Sequence, residues 1–190
     1  MPPAGESEEL RSREWSQDQV WFTPSEARAL LPQDLSMEET GLVPDRLARR
    51  LAQLHVLDDV RGAAEPFSDD QVELAEWRAR LVSVIRNEVR VEWEGRTLAV
   101  AEPDPGAGRV ENGLETSLFG RGTFDRSRGR FVEFRLLAKG ERWGRGPNNG
   151  RAGQEAPSPI GFAFELTPPT HLFKVAPKFF GRHFSANRRR

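Results

Sequence analysis

The sequence predicts an α+β fold in which three N-terminal helices pack on one face of a C-terminal antiparallel sheet. Up to about residue 86, apolar residues recur every three to four positions, a spacing typical of amphipathic helices. From residue 88 onward they alternate with polar residues, which is the period of a strand. No helical segment separates the later strands, so we expect antiparallel pairing in a sheet of about five or six strands, curled toward a half-barrel or a sandwich.

The chain divides into a leader, one predicted domain and a tail. Residues 1–20 are polar and acidic, and we predict that they form a disordered leader. Residues 21–184 form a single α+β domain, with a helical part at 21–86 and an antiparallel β part at 87–184. A basic tail, residues 185–190, ends the sequence.

Each predicted helix has a recognisable start. Residues 23–26 form a capping box, in which threonine and glutamate satisfy each other's backbone amides, and Pro32 ends the first helix. Pro44 begins the second helix and Gly62 follows its end. Residues 68–70 cap the third helix with anionic side chains at the positive end of its dipole. The apolar stripes of the second and third helices are Leu47, Leu51 and Leu54, and then Val72, Leu74, Trp77, Leu81 and Val84 or Ile85.

The β part contains two predicted hairpins and a last strand. Gly95 and residues 125–129 have the composition of hairpin turns. A long loop rich in glycine, proline and asparagine, residues 144–158, precedes the last strand. The predicted strands lie at 89–93, 97–100, 114–124, 131–138 and 162–166.

Charge is distributed unevenly along the chain. Residues 1–104 hold 12 Lys and Arg against 22 Asp and Glu, whereas residues 105–190 hold 16 against 7, so that net charges of −10 and +9 add up to −1. Such a split either recruits an anionic partner to the basic half or makes the two halves attract each other.

Composition also excludes several classes of function. The sequence has no cysteine, which excludes disulfides, thiolate catalysis and cysteine-ligated zinc or iron–sulfur centres. The start lacks the pattern of a secretory signal, and no apolar run approaches the length of a membrane span. We therefore expect a cytoplasmic protein without membrane partners.

The first candidate site is a polar cluster at the end of the second predicted helix. His55 and Asp58 form a candidate acid/base pair, in which Asp58 or Asp59 orients the imidazole and Arg61 binds an anionic group of the substrate. The alternative is structural: Arg61 forms a salt bridge that ties the helix end to the sheet, and His55 packs in the core. We favour the structural alternative, because no nucleophile accompanies the pair.

The second candidate site is the glycine- and arginine-rich segment 141–151. Glycines allow backbone amides to approach an oxyanion, arginines supply charge and a tryptophan offers a stacking face. The segment matches neither a P-loop nor a dinucleotide fingerprint, and a flexible, solvated hairpin loop is the alternative. The candidate ligand-binding residues here are Arg142, Trp143, Arg145, Asn148, Asn149 and Arg151.

A third possibility is nucleic-acid binding through the basic half. Residues 128–134 come close to the aromatic strand consensus of RNA-recognition domains, but they are one residue short and the helices of that fold are missing. The phenylalanines Phe134, Phe162 and Phe164 fit better as core residues of alternating strands. His171 and His183 are isolated, so no metal site is predicted, and no motif indicates a cofactor.

These observations favour a non-enzymatic binding or structural module. Its predicted contact surface is the segment 141–151 together with the phenylalanine-rich C-terminal part, presented to a protein partner or to a small anionic ligand. One alternative is a small enzyme that uses His55 and Asp58, with Arg61 and Trp143 positioning the substrate. The other is nucleic-acid binding, which is less favoured.

Overall fold

The chain is built around one six-stranded antiparallel sheet. The computed structural model describes residues 17–35, 40–108, 110–167 and 177–183. Each strand pairs with its neighbours in sequence, in the order β1-β2-β3-β4-β5-β6. The strands are β1 (Thr40–Leu42), β2 (Val72–Ile85), β3 (Glu88–Ala101), β4 (Asn112–Asp125), β5 (Arg130–Trp143) and β6 (Ser158–Glu165).

Helices contribute little to the described part of the chain. They are α1 (Pro24–Arg28), α2 (Asp45–Leu54) and α3 (Phe180–His183), and a 3₁₀ turn covers Pro105–Ala107. The predicted capping box of α1 is confirmed, since Thr23 Oγ1 accepts from the Glu26 amide at 3.3 Å and the Glu26 carboxylate accepts from the Thr23 amide at 3.0 Å. Among the described residues, only α2 is a helix of seven residues or more.

The predicted fold class is therefore wrong, because the described chain is mostly β and does not place three helices on a sheet. The third predicted helix is strand β2. Register shifts between Val72 and Leu74 and between Leu81 and Ser83 mark β-bulges in its pairing with β3. A bulge inserts one residue and breaks the alternation of period two, so the apolar residues of β2 acquire a spacing that resembles a helical stripe.

The prediction of an antiparallel sheet was correct, but β1 and β2 were not predicted as strands, and the first predicted hairpin is wrong because its two strands, 89–93 and 97–100, both belong to β3. β3 runs through Gly95, and the chain turns earlier, at Arg86 and Asn87, where Arg86 has a φ of 54°. A Cβ at residue 95 would lie 2.2 Å from the Glu76 carbonyl oxygen, so glycine permits close contact with β2 rather than a turn. The turn predicted at 125–129 joins β4 to β5.

One face of the sheet, which we call the inner face, forms the core beneath α1 and α2. Trp77 and Trp93 are buried there with their ring centroids 6.2 Å apart, and Trp93 Nε1 donates to the Leu30 carbonyl at 2.8 Å. Leu47 and Leu51 of α2 belong to the same apolar cluster. Full burial of each large apolar side chain contributes about 1.5–3 kcal/mol. The opposite face, the outer face, carries side chains that are mostly exposed.

Candidate functional site

The largest concentration of buried charge lies where the end of α2 meets the end of β5. Arg151 donates from Nε and Nη2 to the two carboxylate oxygens of Asp58, at 2.8 and 2.6 Å. Arg142 Nε lies 3.7 Å from Asp58 Oδ2. Asp58, Arg142 and Arg151 are 9%, 2% and 8% exposed. We call these three residues the Asp58 cluster, in which one carboxylate compensates two guanidinium groups.

Arg142 also holds both ends of the β5–β6 loop, residues 144–157. Its guanidinium donates to Ser158 Oγ at 2.9 Å, to the Gly144 carbonyl at 3.0 Å and to the Gln154 carbonyl at 2.5 Å. Burial lowers the pKa of Arg142, the charge of Arg151 lowers it further, and Asp58 opposes both effects. The hydrogen-bonding groups of Arg142 are thus engaged within the chain.

The backbone after α2 contacts this loop closely enough to require glycine. A Cβ on Gly62 would lie 2.3 Å from the Asn148 carbonyl oxygen. Gly150 has a φ of 66°, and a Cβ there would lie 2.6 Å from the Arg61 carbonyl oxygen. The predicted sites at 55–61 and 141–151 are therefore neighbours in space, joined by backbone packing as well as by the Asp58 cluster.

His55 belongs to a second network. His55 Nδ1 lies 2.7 Å from Asp18 Oδ2, and Asp18 Oδ1 accepts from the Lys178 amide at 2.9 Å. Lys178 Nζ lies 2.7 Å from Asp59 Oδ2, and Asp59 Oδ1 accepts from the Ala64 amide at 2.7 Å. This network fastens residues from both ends of the described chain to the end of α2.

Asp18 is ionised more readily than a free aspartate. Burial alone would raise the pKa of this carboxyl, but hydrogen bonds from His55 and from the Lys178 amide outweigh burial and lower the pKa. His55 thus lies beside Asp18, whereas the carboxylate of Asp58 is held by Arg151. The catalytic role of His55 and Asp58 stays a prediction.

The predicted ligand-binding residues differ in their surroundings. Trp143 and Asn149 line a small cavity beside the Asp58 cluster. Arg145 Nε lies 3.8 Å from Glu155 Oε1, and the side chains of Asn148 and Arg61 are exposed. The binding roles of these residues also stay a prediction. The C-terminal residues 168–176 and 184–190, which include Phe173, His171 and the basic tail, lie outside the described residues, as do residues 1–16 of the leader.

Sequence reasoning missed Asp18, Ser158 and Lys178 as members of these networks. Asp18 falls in the predicted leader, where no periodicity or spacing marks it. Arg151 was identified, but its partner was not, because the two residues are 93 positions apart. A local pattern cannot reveal pairing over such a separation.

The cavities next to the Asp58 cluster are small. Two of them have a volume of about 30 Å³ each. Pockets for small-molecule ligands usually measure about 300–1,000 Å³, so these cavities suit water molecules rather than a substrate. Among the residues that the structure describes, no group of three or more His, Cys, Asp and Glu side chains is arranged to hold a metal ion.

An exposed apolar cluster lies on the outer face, across the three strands β4, β5 and β6. Phe119 of β4 pairs directly with Leu137 of β5, which pairs with Ala163 of β6. Phe119 and Leu137 are 50% and 57% exposed. We call these three residues the outer patch. It is built on long, paired strands and not on loops.

Three cations surround the outer patch, and we call them the cationic rim: Arg121, Arg135 and Lys139. Each lies two positions from Phe119 or Leu137 and therefore on the same face of the sheet. None of the three forms an ion pair with a described residue, whereas the nearby Glu115 is bound to Arg96 at 2.7 Å. Lys139 Nζ lies 5.8 Å from the centroid of the Phe119 ring.

Comparisons with protein-family models, with curated proteins and with solved structures returned no match. Within the described ranges, no helix has the length and apolar content that crossing a bilayer would require.

Proposed function

We propose that this chain is a non-enzymatic protein-binding module that recognises an acidic segment of a partner protein through the outer patch and the cationic rim. The single observation that carries the proposal is the exposed Phe119–Leu137 pair on the adjacent strands β4 and β5, beside three cations that form no ion pair with a described residue. We also propose that the module is cytoplasmic, as we expect from the sequence.

The apolar part supports a protein partner. Aromatic and aliphatic side chains at the centre of an interface contribute most of its binding energy, particularly when surrounding residues exclude water. Phe119 and Leu137 are on adjacent strands, so the sheet fixes their separation before any partner binds. A preorganised surface loses less conformational entropy on binding than a loop does.

The charge of the rim supports an acidic partner. Arg121 and Arg135 are directly opposite each other on β4 and β5, an unfavourable arrangement of like charges that Glu92 of β3 and Glu165 of β6, at the two ends of the same row, offset only in part. Carboxylates from a partner would relieve that repulsion and would also meet Lys139. Arginine is suited to this role, because its planar guanidinium binds carboxylates with two hydrogen bonds. The partner segment therefore combines an apolar residue over the patch with acidic residues around it.

The buried cluster supports a non-enzymatic function. Asp58, Arg142 and Arg151 are engaged with one another and with the β5–β6 loop, and the cavities beside them are close to the size of a water molecule. Catalysis by these groups would require room for a substrate beside them. Their contacts connect the sheet to the segment that follows α2.

Single-stranded nucleic acid is a less suitable partner for the same surface. Such binding uses several exposed aromatic rings along a continuous basic groove. Phe119 is the one phenylalanine in the outer patch, and exposed carboxylates on the same face, among them Glu92, Glu133 and Glu165, interrupt any continuous basic groove.

The test is fluorescence anisotropy with labelled synthetic probes. The first probe is a short peptide with a leucine and a phenylalanine flanked by glutamates, and its counterparts carry lysines or glutamines in place of the glutamates. We expect the acidic peptide to bind best and to bind less well as salt is added, because salt screens exposed charges. Replacing Arg121 and Arg135 with glutamine should weaken binding by about tenfold, equivalent to about 1.4 kcal/mol.

Control variants distinguish binding at the outer patch from binding at other surfaces of the molecule. Substitution of Phe119 and Leu137 by serine should abolish binding, whereas Ile85→Ser removes an apolar side chain that is 53% exposed at the end of β2 and should have no effect. Arg145→Gln tests the β5–β6 loop. Loss of binding in Arg145→Gln but not in the double serine variant would move the contact surface to the loop. Preference for a labelled oligothymidine over all peptides would indicate nucleic-acid binding instead.

A further inference from the structure

Two buried oxygen atoms near the Asp58 cluster have no hydrogen-bond donor among the described residues. They are the side-chain carbonyl oxygens of Asn112 and Asn149. Asn112 is the first residue of β4, and Asn149 belongs to the β5–β6 loop and is 5% exposed. A buried acceptor that loses its hydrogen bond to water without replacement costs about 1–3 kcal/mol. Because both residues line the same cavities, one donor can serve both oxygen atoms.

Both asparagines face the same space. Each lines both of the cavities of about 30 Å³, and Ala64 and Phe67 form part of the walls of both cavities. A cavity needs about 10–15 Å³ of space accessible to a water-sized probe to hold one water molecule, and it must also offer that molecule two to four polar partners. The cavities meet the size requirement, and the two asparagines supply the polar partners.

The charged and hydrogen-bonding groups that line the cavities determine which ligand fits. An ammonium or metal cation is disfavoured, because Arg142 lines the second cavity and Asp58, which also lines it, is already paired with Arg151. An anion is disfavoured, because the unpartnered groups are oxygen atoms, which carry partial negative charge. Water donates two hydrogen bonds and also accepts, so it satisfies either orientation of each amide.

We propose that a buried water molecule bridges the side chains of Asn112 and Asn149, and that it is a structural ligand of the β5–β6 loop. The water bridge to β4 then adds to the other attachments of the loop, which include the Arg142 hydrogen bonds at its ends, the Arg151–Asp58 ion pair and the hydrogen bond from the Val110 amide to the Arg145 carbonyl. This inference is independent of the proposed binding function, since it concerns the start of β4 and the β5–β6 loop and not the outer patch.

The test is water–protein cross-relaxation measured by NMR on the isotopically labelled wild-type chain. We expect the side-chain amide protons of Asn149 and Asn112 to show cross-peaks with water whose sign indicates a residence time long compared with tumbling. Asn148, the exposed neighbour in the same loop, is the control and should show surface hydration only. Absence of a long-lived cross-peak at Asn149 would overturn the proposal.

Two further measurements identify the ligand and the bridge. Replacing sodium with ammonium or potassium ions should leave the Asn149 and Asn112 amide shifts unchanged, and a saturable shift would identify a cation in place of water. In a double-mutant cycle with Asn112→Ala and Asn149→Ala, a shared water predicts that the second substitution costs less than it does alone. Additive losses would contradict a bridge.

Discussion

Asp58 is the residue on which the buried cluster depends, because among the residues that the structure describes it is the one carboxylate that forms ion pairs with both Arg142 and Arg151. Removing either partner of a buried ion pair leaves an uncompensated charge, but the two removals are not equivalent here. Without Asp58, two buried guanidinium groups face each other with no anion between them. Without Arg151, Asp58 still has Arg142 at 3.7 Å.

We therefore predict unequal losses for two substitutions. Asp58→Asn should lower the free energy of unfolding by about 3–5 kcal/mol, and Arg151→Met by a smaller amount, about 1–3 kcal/mol. Urea denaturation followed by circular dichroism measures both values. Equal losses, or a larger loss for Arg151→Met, would contradict the assignment of Asp58 as the shared counter-ion.

Asp18 gives a prediction that depends on pH. Its pKa is lowered in the folded chain, so its ionised form stabilises the fold above about pH 4, and this contribution is lost as the pH falls through the folded pKa. At pH 7, Asp18→Asn should cost about 1.5–3 kcal/mol, the usual contribution of a hydrogen bond to a charged group.

The difference between wild type and Asp18→Asn should shrink as the pH falls from about 4, where the carboxyl of the unfolded chain becomes protonated, through the lowered pKa of the folded chain. Thermal unfolding at a series of pH values measures it. Glu94→Gln is the control, since Glu94 is exposed and forms no ion pair with a described residue. A pH-independent loss in Asp18→Asn would show that the ionised carboxylate of Asp18 adds no stability.

The sequence identified the charged residues of the buried cluster, but not the residues that each of them binds. Arg142, Arg151 and Asp58 were all candidate residues, and all three are buried in one cluster. Their partners depend on how the chain folds over distances of many residues, which local spacing does not encode. Buried arginines in a glycine-rich segment look, in sequence, the same as solvated ones.

Among the elements, the strands were predictable where their alternation is regular. β5 and β6 have apolar residues at every second position over most of their length, so their period is easily recognised. In β2 the bulges at residues 72–74 and 81–83 interrupt that period, and the capping pattern at 68–70 favours a helix. The prediction failed there, because a bulge depends on pairing with β3 and cannot be seen in one segment alone.

Close packing between strands leads to a prediction for two glycines. A Cβ at Gly140 of β5 would lie 1.8 Å from the Glu115 carbonyl oxygen, so Gly140→Ala requires β4 and β5 to separate. In contrast, the nearest atom to a Cβ at Gly161 of β6 is 3.8 Å away. Gly140→Ala should cost about 3 kcal/mol or more, whereas Gly161→Ala should change stability by no more than about 0.5 kcal/mol.

Thermal unfolding of both variants provides the comparison. Because both glycines lie in strands and near each other in the sheet, intrinsic differences between glycine and alanine affect them similarly. Equal melting temperatures for the two variants would contradict the close approach of β4 and β5 at this position.

In the whole molecule, the uneven charge distribution is partly neutralised internally. Asp18, Asp58 and Asp59 of the acidic half contact residues of the basic half, including Arg151 and Lys178. The uneven distribution of charge along the sequence did not show which charged residues would lack an ion-pair partner among the described residues. The cationic rim is one such group, and its position on the outer face could not be predicted without the register of β4 and β5.

The central claim is that the outer patch, rather than the β5–β6 loop, is the binding surface. It is tested most directly by recording ¹⁵N-labelled amide spectra while the acidic peptide is titrated into the protein. The account predicts shift changes at residues 117–121 and 135–139, which saturate together, with the amides of residues 144–157 unchanged. Shift changes concentrated at residues 145–151, with β4 and β5 unaffected, would contradict it.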